Sequence, residues 1–426
     1  MSKTEAIIQQ LQNHEYKERL IDLYIDPACI PYQTKRYVAA INSFTETFGT
    51  DVEAVFSAPG RSEVGGNHTD HQHGEVLAAS IHDDAIAVTA GYDKPEVQIL
   101  SKGYEMISIS LDSLEKVDGE EGTTAALIRG VLSGMKNQGY KLGGFQAYIT
   151  SDVLSGSGLS SSAAFETLIG TIVSGLFNHM EISPIEIAKI GQYAENVYFG
   201  KPCGLMDQMA CSVGSLCHID FADPDNPKVS KIDFDLETAG YSLCITDTKG
   251  SHADLTADYA AIPAEMNAVA RYFSKEFLIE VAESEVLANA KEIREKCGDR
   301  AFLRAIHFFE ENKRVQKEVA ALKAKDMDAF LSAVLASGNS SYKYLQNVYT
   351  GHNIARQNMS VALMLSELTL GVHGVARVHG GGFAGTIQAF VKNDVVSAYK
   401  CAMDEVFGAD SCKVLKIRKY GGVRVL

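Results

Sequence analysis

Across residues 4–48 apolar positions recur at helical spacing, with Ile7, Ile8 and Leu11 followed by Tyr37, Ile41 and Phe44. That period predicts a helical N-terminal extension. Residues 52–58 predict a short strand ending at Pro59 and Gly60. Residues 76–92 are apolar and β-branched and predict paired strands. Alternation at Val97, Ile99, Ile107, Ile109 and Leu111 predicts a hairpin around Lys102 and Gly103. A helix follows over 125–138, stopped by Gly139, then a strand over 144–150 and an apolar helix over 167–177. Ser183 with Glu186 three residues later forms a capping-box pattern for a helix over 184–198.

The second half continues with strands over 212–220 and 241–247. Long helical patterns cover 258–277, 284–296, 300–324 and 327–337. Strands over 375–379 and 385–391, a helix over 395–407 and a strand over 412–417 complete the chain. Strands and helices mix in both halves without the steady alternation of a doubly wound sheet, which predicts an α+β fold. The most turn-rich stretch is Ala222-Asp-Pro-Asp-Asn-Pro227. It divides the chain into an expected first domain over 1–222 and a second over 228–426.

Composition narrows the function. The 426 residues are 46% hydrophobic and 22% charged, and the formal net charge is −15. Nucleic-acid binding normally shows a basic footprint, and none is present. The eight cysteines form no CxxC pair and no dense framework, which fits a reducing cytoplasm. The N-terminal residues lack the apolar core of a signal peptide. No uncharged apolar run reaches the length of a membrane span. The expected partners are therefore small molecules, with no nucleic acid and no membrane; the oligomeric state is not encoded in these features, and a monomer is compatible with them.

Chemistry concentrates in four segments. Residues 153–166 read Val-Leu-Ser-Gly-Ser-Gly-Leu-Ser-Ser-Ser-Ala-Ala-Phe-Glu. Gly156 and Gly158 let the backbone approach a ligand with its N–H groups inward, and the following helix start adds unpaired donors. One reading is an anion cradle for nucleotide phosphates; the other is a Gly/Ser turn with a serine N-cap. The string is neither a Walker A loop nor a dinucleotide fingerprint.

Residues 58–74 pack Arg61, His68, Asp70, His71 and His73 between two strands. An arginine fork there suits a phosphate or a carboxylate. Three readings stand: a sugar pocket, a metal site, or a polar turn. His-x-Asp-His matches part of the His-x-His-x-Asp-His motif of metallo-β-lactamase-like hydrolases, but the leading histidine falls on Gly66. Residues 192–208 carry Glu195 and Asp207 among apolar neighbours, where a carboxylate needs a cation or a donor. Glu195 suits magnesium and Asp207 suits a proton acceptor, and either equally suits a structural ion pair. Residues 379–385, His-Gly-Gly-Gly-Phe-Ala-Gly, form a second glycine cluster ahead of a strand.

Taken in order, these segments resemble the GHMP kinase superfamily and, within it, the galactokinase family, from about residue 52 to about residue 392. Residues 58–74 are similar to a signature whose usual form is Gly-Arg-x-Asn-x-Ile-Gly-Glu-His-Thr-Asp-Tyr. Residues 155–164 resemble the family's ATP loop, and residues 380–385 its third signature. Residues 202–208 match the segment bearing its catalytic aspartate, and 252–259 a stretch ending in a sugar-contacting tyrosine. The resemblance implies a two-domain GHMP kinase fold, with an N-terminal part of the ribosomal-S5-domain-2 type and a ferredoxin-like C-terminal α/β sandwich.

It also implies phosphorylation of the anomeric hydroxyl of a galactose-type hexose by ATP with Mg2+. Asp207 becomes the base or positioning carboxylate and Arg61 its charge partner. Gly156, Ser157, Gly158, Leu159, Ser160 and Ser161 hold ATP, and Ser162 and Glu195 hold Mg2+. Asn67, His68, Asp70, Gly204 and Tyr259 contact the sugar. The chain departs from the family form at Asn67, which replaces a glutamate that contacts the 6-hydroxyl, and at His71, which replaces a tyrosine. Loss of that charge makes galacturonate, or another sugar altered at carbon 6, the alternative to galactose. Two further expectations from other classes are a metallohydrolase built on His68, Asp70, His71 and His73, and a non-catalytic sugar sensor.

Overall fold

The computed structural model describes residues 2–153, 158–250 and 255–426. Two strands form its centre, β1 (Ala54–Gly65) and β2 (Glu75–Tyr92), paired antiparallel from Ala54 opposite Thr89 to Gly65 opposite Leu77. The register shifts between Pro59 and Arg61 and again between Glu63 and Gly65. Such bulges re-aim side chains, and here they bracket Arg61 and Glu63.

All 12 residues of β1 are buried. One face meets the N-terminal helices, where Tyr37, Ile41 and Phe44 pack on Val55, Ile86 and Val88. The other meets the helices Thr124–Asn137, Ser161–Phe177 and Pro184–Tyr193, through Ile128, Leu132, Leu168 and Ile172 against Phe56 and Phe145. Cover on both faces explains why β1 lacks an alternating pattern.

The rest of the first sheet comprises β3 (Glu96–Ser101), β4 (Met106–Ser110), β5 (Gly144–Ser151), β6 (Leu216–Asp220) and β7 (Lys228–Ile232). The second sheet contains β8 (Tyr241–Asp247), β9 (Gly374–Val378), β10 (Thr386–Lys392) and β11 (Cys412–Leu415), in the order β11-β8-β10-β9. A last short strand, β12 (Val423–Arg424), returns to the first sheet beside β1. A core of Val64, Leu77, Ile81 and Leu159 with Leu243, Ile245, Val315 and Phe390 joins the two sheets and the long helix Asp299–Ala324. The mixed α+β class holds. Among the described residues, no helix is long and apolar enough to cross a membrane.

Three expectations are corrected. Residues 76–92 do not form paired strands; they lie in the single 18-residue strand β2. Its first part pairs with β6 and its later part with β5, so one strand serves two neighbours. Residues 212–213 end a helix, Met206–Val213, and the strand starts at Leu216. The turn-rich residues 222–227 are not a boundary between domains. They connect β6 to β7, which pair antiparallel from Leu216 opposite Ile232 to Asp220 opposite Lys228. The chain crosses to the second sheet later, between β7 and β8. The capping box at Ser183 and Glu186 is present, and the helix it starts gives way to a π-helical turn over Ala194–Phe199.

Candidate active site

Arg61 leaves β1 at the bulge and is 8% exposed. Its Nε donates to Asp207 Oδ1 at 2.6 Å and its Nη2 to Asp207 Oδ2 at 2.7 Å, a bidentate fork. Its Nη1 donates to the Gly158 carbonyl at 2.6 Å. Asp207 sits in the first turn of the helix Met206–Val213, with 29% of its side chain exposed. Burial raises the Asp207 pKa, but the charge and hydrogen bonds of Arg61, with the Ser160 hydroxyl, outweigh it and leave the carboxyl below its ordinary value. It is therefore ionised at neutral pH and reachable from outside, on the side that we call the cleft.

The serine-rich turn meets this pair directly. Ser160 occupies the N-cap position of the helix Ser161–Phe177 in a left-handed conformation, φ 59°. Its side chain does not cap the helix; its Oγ donates to Asp207 Oδ2. The N-terminal amides of that helix are thus left without a side-chain cap, as an anion site requires. The Leu159 carbonyl accepts the Arg61 backbone N–H at 3.0 Å, and a Cβ at Gly60 would lie 2.8 Å from that carbonyl. Glycine at 60 is what lets the turn approach β1. Of the expected ATP loop, Gly158 and Ser160 meet the Arg61–Asp207 pair, the Leu159 side chain is buried in the core, and Ser161 begins the helix; Gly156 and Ser157 lie outside the described residues.

Ser162 and Glu195 come together as expected, Oγ to Oε1 at 3.2 Å. Sequence reasoning missed three groups here. Lys201 Nζ lies 3.2 Å from Glu195 Oε1, and Gln208 Nε2 donates to Glu195 Oε2 at 2.8 Å and to Glu166 Oε2 at 3.1 Å. Glu166 is 1% exposed, and its Oε1 has no hydrogen-bond partner. Burial, then the nearby Glu195 charge, pushes its pKa well up. Glu166 falls one helical turn beyond Ser162, a spacing that places both on one face. The cluster offers oxygen donors suited to a hard cation.

Asp70 borders the same cleft. Burial, then the charge of Asp207, raises its pKa to about 6. Gly204 abuts it: a Cβ at 204 would lie 1.9 Å from Asp70 Oδ2. His68 Nε2 is 3.1 Å from the Gly381 carbonyl, and Tyr259 OH donates to the Gly382 carbonyl at 2.8 Å. The second glycine cluster thus lies against the expected sugar residues. Ser160, His68 and Phe383, all non-glycine residues at positive φ, lie in the loops that meet here.

Asn67 is the exception among the expected sugar contacts. It is 0% exposed, and its amide is used up by protein groups: Glu63, Gly380, Ser341 and Asn347. The side chain points into the interior. The three histidines expected for a metallohydrolase do not all converge either. His73 stacks on Phe277 at 3.9 Å, while His68 Nδ1 faces His71 Nε2 at 3.3 Å. Among the described residues, no group of three or more His, Cys, Asp or Glu is placed to hold a metal ion.

Comparison with known proteins agrees with this geometry. The model for the GHMP kinases N-terminal domain matches residues 126–215, and the galactokinase galactose-binding signature matches residues 42–90. The chain is 30% identical over 364 residues to a galactokinase of Glaesserella parasuis, covering 84% of this chain and 90% of that protein. It is 29% identical over 376 residues to a galactokinase of Streptomyces coelicolor, covering 88% and 94%. Among solved structures, Lactococcus lactis galactokinase complexed with galactose matches with TM-score 0.78 and 26% identity, covering 91% of this chain and 100% of that one. A mevalonate kinase matches at TM-score 0.60 and 16% identity, over 86% and 99%, a likeness of fold alone.

Proposed function

This chain belongs to the galactokinase family, and from that premise we propose that it transfers the γ-phosphoryl group of ATP to the anomeric hydroxyl of galactose. The observation that carries the reading is the Arg61–Asp207 fork, with the serine turn closed against it. Asp207, held ionised, accepts the hydrogen bond of the anomeric hydroxyl and takes its proton as that oxygen bonds to phosphorus and the bond to ADP breaks. Phosphoryl transfer needs positioning and charge neutralisation more than covalent chemistry. Arg61 supplies both: it fixes the Asp207 carboxylate and places a guanidinium beside the turn that faces the phosphates.

Gly158, Leu159, Ser160 and Ser161 cradle phosphate oxygens at the start of the helix Ser161–Phe177. Ser162 and Glu195 would hold Mg2+, which supplies charge neutralisation on those oxygens. Asp70, His68 and Tyr259 line the sugar side, with Gly204 giving Asp70 its room.

The case for a sugar altered at carbon 6 rested on a carboxylate lost at position 67. Asn67 is buried with its amide bonded to protein groups, so its identity does not select the group at carbon 6. The galactokinase relatives support galactose as the preferred substrate. The intact fork favours catalysis over a silent sensor. An ADP-release assay over galactose, galacturonate, N-acetylgalactosamine, glucose and arabinose tests the reading. Galactose should turn over fastest; turnover of galacturonate alone would replace it.

A further inference from the structure

The buried amide of Asn67 is a junction between three parts of the fold. Its Nδ2 donates to Glu63 Oε1 on β1 at 3.0 Å and to the Gly380 carbonyl at 2.7 Å. Its Oδ1 accepts from Asn347 Nδ2 at 2.9 Å and from Ser341 Oγ at 3.2 Å. Both donors and both acceptor positions of the amide are therefore occupied. Asn347 extends the tie, because its Nδ2 reaches the Gly381 carbonyl at 3.3 Å and its backbone carbonyl accepts the Phe383 N–H at 2.5 Å.

An amide has two ends of similar size, and its neighbours decide which way it points. Ser341 is a hydroxyl and satisfies either end. Glu63 Oε1 accepts from the Arg377 guanidinium, so that oxygen carries no proton and can only accept; it directs Nδ2 toward itself and thus toward Gly380. Glu63 is fixed in turn by Arg377, which is 0% exposed and whose Nη2 donates to Glu63 Oε1 at 2.5 Å. Arg377 Nε and Nη1 donate to the carbonyls of Val378 and Val64. The family form quoted above has asparagine and glutamate where this chain has Glu63 and Asn67. The two residue types have exchanged places and are in contact here.

We propose that Glu63 is a positioning residue: it sets the orientation of the Asn67 amide, which holds the glycine loop over residues 380–382 against His68 and Tyr259. The sugar side of the cleft is then built on a tether anchored in β1. The kinetic part of the test rests on the proposed function; the structural part does not.

The test compares Glu63→Gln, which keeps the shape and removes the charge, with Glu63→Asp, which keeps the charge beside Arg377 and draws it back by one methylene. Asn67→Ser deletes the amide and leaves Glu63 and Arg377 paired. Amide hydrogen exchange over residues 379–385 and the KM values for galactose and ATP are measured on the full chain. Each folded variant should speed exchange in that loop and raise the galactose KM by about tenfold, the effect of one lost buried hydrogen bond, with the ATP KM within about twofold of wild type. Should Glu63→Gln not fold, Glu63→Asp carries the test. Unchanged loop exchange in the folded Glu63 variants overturns the proposal, as does a parallel fall in thermal stability, kcat and both affinities. A wild-type chain inactive on galactose would remove the proposed function, while loop exchange would still decide the role of Glu63.

Discussion

Arg61 and Asp207 lie 146 residues apart in the chain and meet as a two-pronged ion pair, Nε to Oδ1 at 2.6 Å and Nη2 to Oδ2 at 2.7 Å. The pair sets the ionisation of the carboxylate. Its two members are not equivalent on removal. Asp207→Asn keeps the shape and loses the proton acceptor, so kcat should fall by about 10²–10⁴ with ATP affinity retained. Asp207→Ala leaves Arg61 buried and unpaired and should also cost about 3–5 kcal/mol of stability. Steady-state kinetics with thermal melts of both variants separate the effects. Wild-type turnover by Asp207→Asn would reject the role.

The role proposed for Asp70 makes sugar binding pH-dependent. Its carboxyl titrates near pH 6 in the folded chain because burial and the Asp207 charge both oppose ionisation. The ionised form accepts sugar hydroxyls at both oxygens, so the galactose KM should rise as pH falls through about 6. Asp70→Asn should remove that dependence and weaken binding at neutral pH. KM against pH for the two proteins is the measurement, and parallel profiles would refute it.

Gly204 is required by the space Asp70 occupies. A methyl group at 204 would sit 1.9 Å from Asp70 Oδ2, so Gly204→Ala must displace the carboxylate. The galactose KM should rise about tenfold or more while the ATP KM holds, as expected for the loss of a charged hydrogen bond. Equal loss of both affinities would place Gly204 outside the sugar site.

Glu318 is a stability liability that grows with pH. It is 0% exposed, and neither carboxyl oxygen has a partner. Burial, then the charge of Glu311, raises its pKa well above the ordinary value. The folded chain thus keeps this proton after the unfolded chain has released its own. Stability is fully present below the unfolded pKa and is lost as pH rises toward the folded one, at up to about 1.4 kcal/mol per pH unit. Glu318→Gln removes the titration, so its melting temperature should gain on wild type between pH 5 and pH 8. A constant difference across that range would contradict the assignment.

The residues that meet at the site were legible in the sequence for two reasons: Arg61, Asp70, Ser160 and Ser162 lie in short strings rich in glycine and polar groups, and Glu195 and Asp207 are carboxylates among apolar neighbours. Arg61, Ser160, Ser162, Glu195, Asp70 and Asp207 lie together at the site or within hydrogen-bond reach of its members. What the strings could not give is direction. Asn67 stands beside His68 in the same motif, yet its amide turns inward because Glu63, Gly380, Ser341 and Asn347 take every bond it can make. Glu318 was invisible because its carboxyl fills the space left by a missing side chain at Gly65: a Cβ at 65 would lie 1.8 Å from Glu318 Oε2.

Errors in the fold have similar causes. Seven of the eight residues of the helix Met206–Val213 are buried, so the segment carries little helical period and merges with the strand after it. Turn chemistry at 222–227 marks a reversal of the chain, and a hairpin reverses it as well as a domain boundary does.

Phosphorus NMR of the product formed from galactose and ATP tests the central claim most directly. The account predicts a single sugar monophosphate with phosphorus coupled to the anomeric proton, formed by the wild-type chain and lost in Asp207→Asn. Phosphate on any other hydroxyl, or ATP left unchanged in the presence of galactose and Mg2+, would contradict it.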